Sequence, residues 1–145
     1  MDFGIFNTIV EECRTIKPIL FGLEHDKILC AEEIEQFEKT VHITLPEKYK
    51  EFIMNYGGGY FGYANIYSLD IDSNFYLLKH NNLPFEKFIR IADNGCGDHY
   101  LFSIDKEKCL EPLYYYDHES GKTIPTEYED VFEYLVKVGL KKKFP

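Results

Sequence analysis

The sequence predicts an α+β domain: helices first, then a meander of short antiparallel strands, then one closing helix. Three observations carry this. Apolar residues recur at helical spacing as far as Tyr56, and at Gly57-Gly58-Gly59 the pattern changes to aromatic and β-branched runs separated by turn residues. A capping motif and a helical stripe then return after Thr126. The expected sheet has about four to six strands flanked by helices. The 145 residues form a single domain, with residues 1–27 as an N-terminal helical extension.

The first helix rests on Phe3, Phe6, Ile9, Val10 and Cys13, and ends near Lys17-Pro18 because a residue before proline avoids helical geometry. A second runs from Ala31 to Thr40, with Ile34, Phe37 and Val41 on one face and glutamates on the other. The third has the clearest limits. Pro46 stands at its first turn, where a missing N–H costs nothing. Tyr49, Phe52, Ile53 and Tyr56 follow at i, i+3, i+4 and i+7, and Gly57 closes it.

Strands are expected over Phe61 to Leu69, Phe75 to Lys79, Phe88 to Ala92, Tyr100 to Ile104 and Pro112 to Asp117. Between them lie Asp70 to Asn74 and the turn Asp93-Asn94-Gly95-Cys96-Gly97-Asp98. Strand alternation puts Tyr114 and Tyr116 on one face and Tyr115 on the other. The last helix starts at the capping box Thr126-Glu127-Tyr128-Glu129 and buries Val131, Phe132, Leu135 and Val138. Gly139 ends it, and Lys141 to Lys143 suit the negative end of the helix dipole.

Sixteen basic against twenty-five acidic residues leave a net charge of −9, which argues against direct nucleic-acid binding. Such a surface attracts basic partners, and it also keeps a protein soluble. The four cysteines (Cys13, Cys30, Cys96, Cys109) contain no C-x-x-C pair and read as small core residues. The first residues lack the basic, apolar and small-residue regions of a signal peptide, and no run is apolar enough to span a membrane. A cytoplasmic protein with reduced thiols is expected.

No pattern of catalytic residues stands out. Gly95-Cys96-Gly97 lacks the third glycine of a dinucleotide fingerprint and the Gly-Lys-Ser/Thr of a P-loop. It reads as a tight turn, and Asp93 and Asp98 beside it would repel phosphate. Asp98-His99 and Asp117-His118-Glu119 combine histidine with carboxylate, yet no His-x-x-x-His spacing accompanies them. No nucleophile motif occurs, so neither a catalytic residue nor a metal or cofactor site is expected.

The acid is unevenly spread. Residues 93–133 hold eleven acids against three lysines, a net of −8, together with five tyrosines, and Tyr134 follows directly. Carboxylates interleaved with tyrosines suit the grip of a basic protein. The same composition also describes an acidic solvated face over a tyrosine-rich core.

Several segments, taken in order, resemble the SUKH superfamily, which includes the yeast cell-wall-assembly regulator and many bacterial immunity proteins. These are Glu33-Ile34-x-x-Phe37-Glu38, Leu45-Pro46-Glu47-x-Tyr49-Lys50-x-Phe52 and Tyr56-Gly57-Gly58-Gly59. The turn Ile91-Ala92-Asp93-x-Gly95-x-Gly97-Asp98-x-Tyr100, the strand end Tyr115-Tyr116-Asp117-His118-Glu119 and the helix with Val131-Phe132-x-x-Leu135 continue the likeness. The chain departs from the pattern by tyrosine where tryptophan is more common, and by its additional first helix.

The resemblance implies one α+β domain without enzymatic activity. In bacteria it implies an antitoxin, a cytoplasmic protein that neutralises a toxin passed between neighbouring cells, often a nuclease. Nuclease toxins tend to be basic where they meet nucleic acid, so an acidic protein can cover that surface. Asp93, Asp98, Tyr100, Tyr116, Asp117 and Glu119 are the residues expected to meet the toxin. The alternative reading is an intracellular scaffold or regulatory module related to the cell-wall-assembly regulators.

Overall fold

A computed structural model describes residues 1–23 and 25–143, and its helices give way to strands at the glycine run 57–59. Before that point stand α1 (Phe3–Ile16), α2 (Ala31–Val41) and α3 (Glu47–Tyr56). After it come β1 (Gly59–Phe61), β2 (Ala64–Ile66), β3 (Phe88–Asp93), β4 (His99–Asp105), β5 (Lys108–Asp117) and β6 (Lys122–Pro125). Among the described residues these strands form one antiparallel sheet in sequence order, β1 to β6. A short α4 (Val131–Tyr134) continues as a π-helical turn over Leu135–Gly139.

Local chemistry accounts for most boundaries. The Asp2 carboxylate caps α1 by accepting the Ile5 N–H at 2.8 Å. Glu33 reaches back to the Cys30 N–H at the start of α2. Gly57 ends α3 at φ +87°, and a Cβ there would lie 2.2 Å from the Asp26 carbonyl oxygen. Only glycine fits that position.

The structure differs from the expectations in several places, and Lys122–Pro125 adds a strand that none of the expected elements covered. Phe75 to Lys79 is not a strand: the Ser68 and Ser73 hydroxyls accept the Asp70 and Phe75 N–H groups, and Leu77–His80 coils into a 3₁₀ turn. Local side-chain bonding competes there with strand pairing. Phe61 to Leu69 is broken by a turn into β1 and β2. The closing helix begins at Asp130, whose carboxylate accepts the Glu133 N–H, while Thr126 turns away to the Leu113 carbonyl. Only Cys13 and Cys109 lie in the core; Cys30 and Cys96 are exposed, and all four are free.

The helices cover one face of the sheet. Phe6 of α1 stacks on Phe132 of α4 at 4.5 Å, stacks against Phe61 of β1 and meets Phe52 of α3 edge-on. Tyr49 of α3 packs edge-on against Phe102 of β4 and donates its hydroxyl to the Tyr67 carbonyl at 2.7 Å. Burying each phenylalanine contributes roughly 2–3 kcal/mol. Residues 1–27 precede the helix pair that the sequence marks most clearly, but Phe6, Val10 and Cys13 belong to the same core.

Asp130 joins three elements. Its carboxylate is 1% exposed and accepts from Lys48 Nζ and the Met1 ammonium, each at 2.8 Å, and from the Glu133 N–H at 2.9 Å. Burial alone would raise its pKa, but hydrogen bonds from Lys48 and the Met1 ammonium outweigh that and lower it. A lowered folded-state pKa contributes stability above the unfolded value and loses it as pH falls through the folded one. Asp130→Ala is therefore expected to cost about 3 kcal/mol at neutral pH in urea unfolding. That cost should shrink below about pH 4, where the wild type loses the same interaction.

Candidate functional site

The face of the sheet away from the helices is open, and a bulge decides what it displays. Arg90 pairs with Leu101, yet the next pair is Ala92 with Tyr100, so Ile91 is an extra residue in β3. Strict alternation would put Arg90 and Asp93 on opposite faces; the bulge puts both on the open one. Asp93, His99, Tyr116 and Thr123 then stand in one row across β3, β4, β5 and β6. Tyr116 and Tyr114 face outward here, with the Arg90 guanidinium 5.5 Å above the Tyr116 ring and Phe88 against Tyr114. Tyr115 faces the helices, as alternation requires.

Segment 79–87 runs beside β3 and walls one side of this face. The Asn81 side chain anchors it, accepting the Arg90 N–H at 2.8 Å and donating to the Arg90 carbonyl at 3.0 Å. His80 stacks on Tyr67 at 3.9 Å. Between wall and strands lies a groove of about 710 Å³, floored by Arg90, His99, Leu101 and Tyr116.

At the end of the sheet beyond this row, Asp98 ties two turns together. Its carboxylate accepts four hydrogen bonds: from the Tyr115 hydroxyl, from Asn94 Nδ2 at 3.0 Å, and from His118 through its N–H at 3.0 Å and Nδ1 at 2.7 Å. The Tyr115 and His118 donors hold the Asp98 carboxyl far below the usual carboxylate range. The same contact raises the His118 pKa. Gly97, at φ +99°, makes room for it, since a Cβ there would lie 3.0 Å from the His118 ring.

The six residues expected to meet a partner all lie at this end of the sheet, in different roles. Glu119 is exposed at the tip of the β5–β6 turn, and Asp117 shapes that turn by accepting the Glu119 N–H and the Ser120 hydroxyl, each at 3.0 Å. Asp98 is bonded internally, and Asp93 accepts from the Tyr67 hydroxyl at 2.9 Å and the Gly95 N–H at 2.9 Å. Tyr116 is half-buried on the open face. Tyr100 faces the other way: its ring packs among Tyr115, Tyr128 and Tyr134 under the closing helix, and burial pushes its pKa up to about 12. It belongs to the covered side, because it pairs with inward-facing Ala92.

The acidic segment also divides on folding. Asp105 and Glu107 sit at the opposite end of the sheet, Asp130 is buried, and Glu127 is paired with Lys137. His99, weighed in the sequence for metal binding or acid–base catalysis, lines the groove; burial and then the neighbouring Arg90 charge lower its pKa. Arg90 carried no sequence signal, because its position depends on the bulge.

Asp98, Asp117 and His118 offer oxygen and nitrogen atoms within 4.8 Å of one another, but those of Asp98 and His118 already bond each other. Among the described residues no helix is long and apolar enough to cross a membrane. The Asp98–His118 contact fixes a pH window. Asp98 stabilises above its unfolded value of 3.8, and His118 below its unfolded value of 6.5. Proton NMR should therefore find the His118 pKa above 6.5, returning towards it in Asp98→Asn. In that variant the amide exchange protection of residues 94–98 should also fall by roughly tenfold.

A family model described as SMI1-KNR4 cell-wall, SUKH_6, matches residues 31–135, from α2 into the closing helix. A crystal structure of a protein from Pseudomonas syringae pv. tomato has a similar fold, with a TM-score of 0.65 at 17% sequence identity. That similarity covers 94% of this chain and 99% of the other. Among curated proteins none matches the chain. Helix α1 lies outside the family match, although it contributes to the core. With every strand of the sheet and the turns at its acidic end inside the matched segment, the chain belongs to the SMI1-KNR4 cell-wall family of the SUKH superfamily.

Proposed function

We propose that this SUKH domain is an immunity protein that binds and neutralises a basic toxin of the nuclease type, covering its nucleic-acid-binding cleft without acting on it chemically. The observation that carries this reading is the pre-formed acidic tip. Four hydrogen bonds to Asp98 hold the 93–98 and 117–121 turns together, so Asp117 and Glu119 need little ordering when a partner arrives. In this assignment Glu119 and Asp117 make the contacts, Tyr116 flanks them, and Asp93 and Asp98 position the turns. Tyr100 supports the tip from beneath. The net charge of −9 favours fast encounter with a cationic surface, and family membership favours protein binding as the activity. The protein acts in the cytoplasm, where its four thiols remain reduced.

Co-expression with the toxin encoded beside it should restore growth, and the purified pair should form a stable complex. Glu119→Lys is expected to weaken that complex roughly tenfold and slow its association, while Glu107→Lys at the far end of the sheet leaves it unchanged. Equal effects of the two reversals would remove the tip from the interface. Capture of several weak partners with no growth rescue would favour the scaffold reading.

A further inference from the structure

Apart from Tyr116, which borders both surfaces, the groove on the open face is not used by that reading, and its charge has the opposite sign. It is lined by Lys79, Lys87 and Arg90, by His80 and His99, and by one acid, Glu86, in a molecule whose net charge is −9. Arg90 is half-buried and makes no ion pair among the described residues; its guanidinium rests on the Tyr116 ring. An arginine fork partly removed from water with no carboxylate partner is costly unless something else receives it. Beside it, His99 lines the same floor, with its Nδ1 turned inward from solvent. Asp93, on the same face, accepts from the Tyr67 hydroxyl and the Gly95 N–H and forms no ion pair with Arg90.

We infer that this groove is a docking site for an acidic peptide segment of a partner protein, whose carboxylates are received by Arg90 and Lys87 with His99 alongside. Charge complementarity sets the sign of the occupant. Geometry sets its kind. The Lys79 ammonium is turned to the Ser73 carbonyl at 2.9 Å, which leaves Lys87 on the wall and Arg90 on the floor. Coming from separate elements, these two match carboxylates on successive residues of a chain better than one compact anion. A phosphate would be expected to draw on clustered backbone N–H groups. Those of the neighbouring glycine turn are occupied: Gly95 N–H bonds Asp93, and the Cys96 and Asp98 N–H groups bond Asn94. A planar guanidinium fork suits a carboxylate, and the polar, open groove leaves room for an extended segment. The inference does not depend on the toxin reading, since it concerns a different surface of opposite charge.

The probe is acetylated hexaglutamate amide, titrated into the full chain at low salt and followed by NMR. Saturable shifts are expected at Arg90, His99, Tyr116 and Lys87, with a rise in the His99 pKa on binding. Arg90→Gln should weaken binding about tenfold, and Arg90→Lys less, because the charge stays while the fork is lost. Glu86→Gln should tighten binding about twofold by removing the single opposing charge. His118→Ala, in the acidic tip, should leave it unchanged. The proposal is overturned if no saturable binding occurs below about 10 mM peptide. It also fails if folded Arg90→Gln, checked by circular dichroism, binds as the wild type does, or if inorganic phosphate fills the groove while the peptide does not.

Discussion

The stacking of Phe6 on Phe132 joins the first helix of the chain to the last, and the rest of the architecture depends on it. Phe52 and Phe61 complete the cluster, so α1, α3, α4 and β1 share one apolar centre. With that centre on one side of the meander, the helices cover a single face of the sheet. The other face stays open, and the groove lies on it. Asp130 reinforces the same junction electrostatically, because its buried carboxylate needs Lys48 from α3 and the Met1 ammonium to remain charged.

On the open face a single extra residue, Ile91, separates two electrostatic regions. Without the bulge Arg90 and Asp93 would point to opposite sides of β3. With it, Arg90 turns towards the groove, while Asp93 braces the turn that carries Asp98. A protein of strongly negative charge thereby keeps a cationic groove beside an acidic tip. Asp93 and Asp98 take their hydrogen bonds from Tyr67, Asn94, Tyr115 and His118, and neither forms an ion pair with Arg90 among the described residues.

This division changes what the acidic, tyrosine-rich segment means. Its composition suggests one adhesive patch of carboxylates and phenol rings. Folding instead sends Asp105 and Glu107 to one end of the sheet and Asp117 and Glu119 to the other, and encloses Asp130. Tyr100, Tyr115, Tyr128 and Tyr134 pack against one another beneath the closing helix. Phenol rings so arranged stiffen the tip from below more than they supply contact area. The acid that remains outward at the tip is smaller than the segment's charge suggests, and better ordered.

The sequence by itself determined the class of fold, the three leading helices and the central strands, because helical and strand periodicities are local and glycine and proline mark their ends. It also brought the six candidate residues into two turns and a strand end, and the tertiary structure gathers these at one end of the sheet. Tertiary structure alone decided the rest. Thr126 gives no cap because its N–H and hydroxyl both bond the Leu113 carbonyl and its oxygen accepts the Tyr128 N–H. These bonds hold it in a turn before the helix, and Asp130 caps instead. Phe75 to Lys79 lost its strand character to the serine-bonded turns of residues 68–76. The groove could not be read from the sequence, since it joins a bulge in β3, a strand row across four elements and the loop at 79–87. Such contacts between distant residues follow no sequence period and form only when the core chooses which face of the sheet to cover.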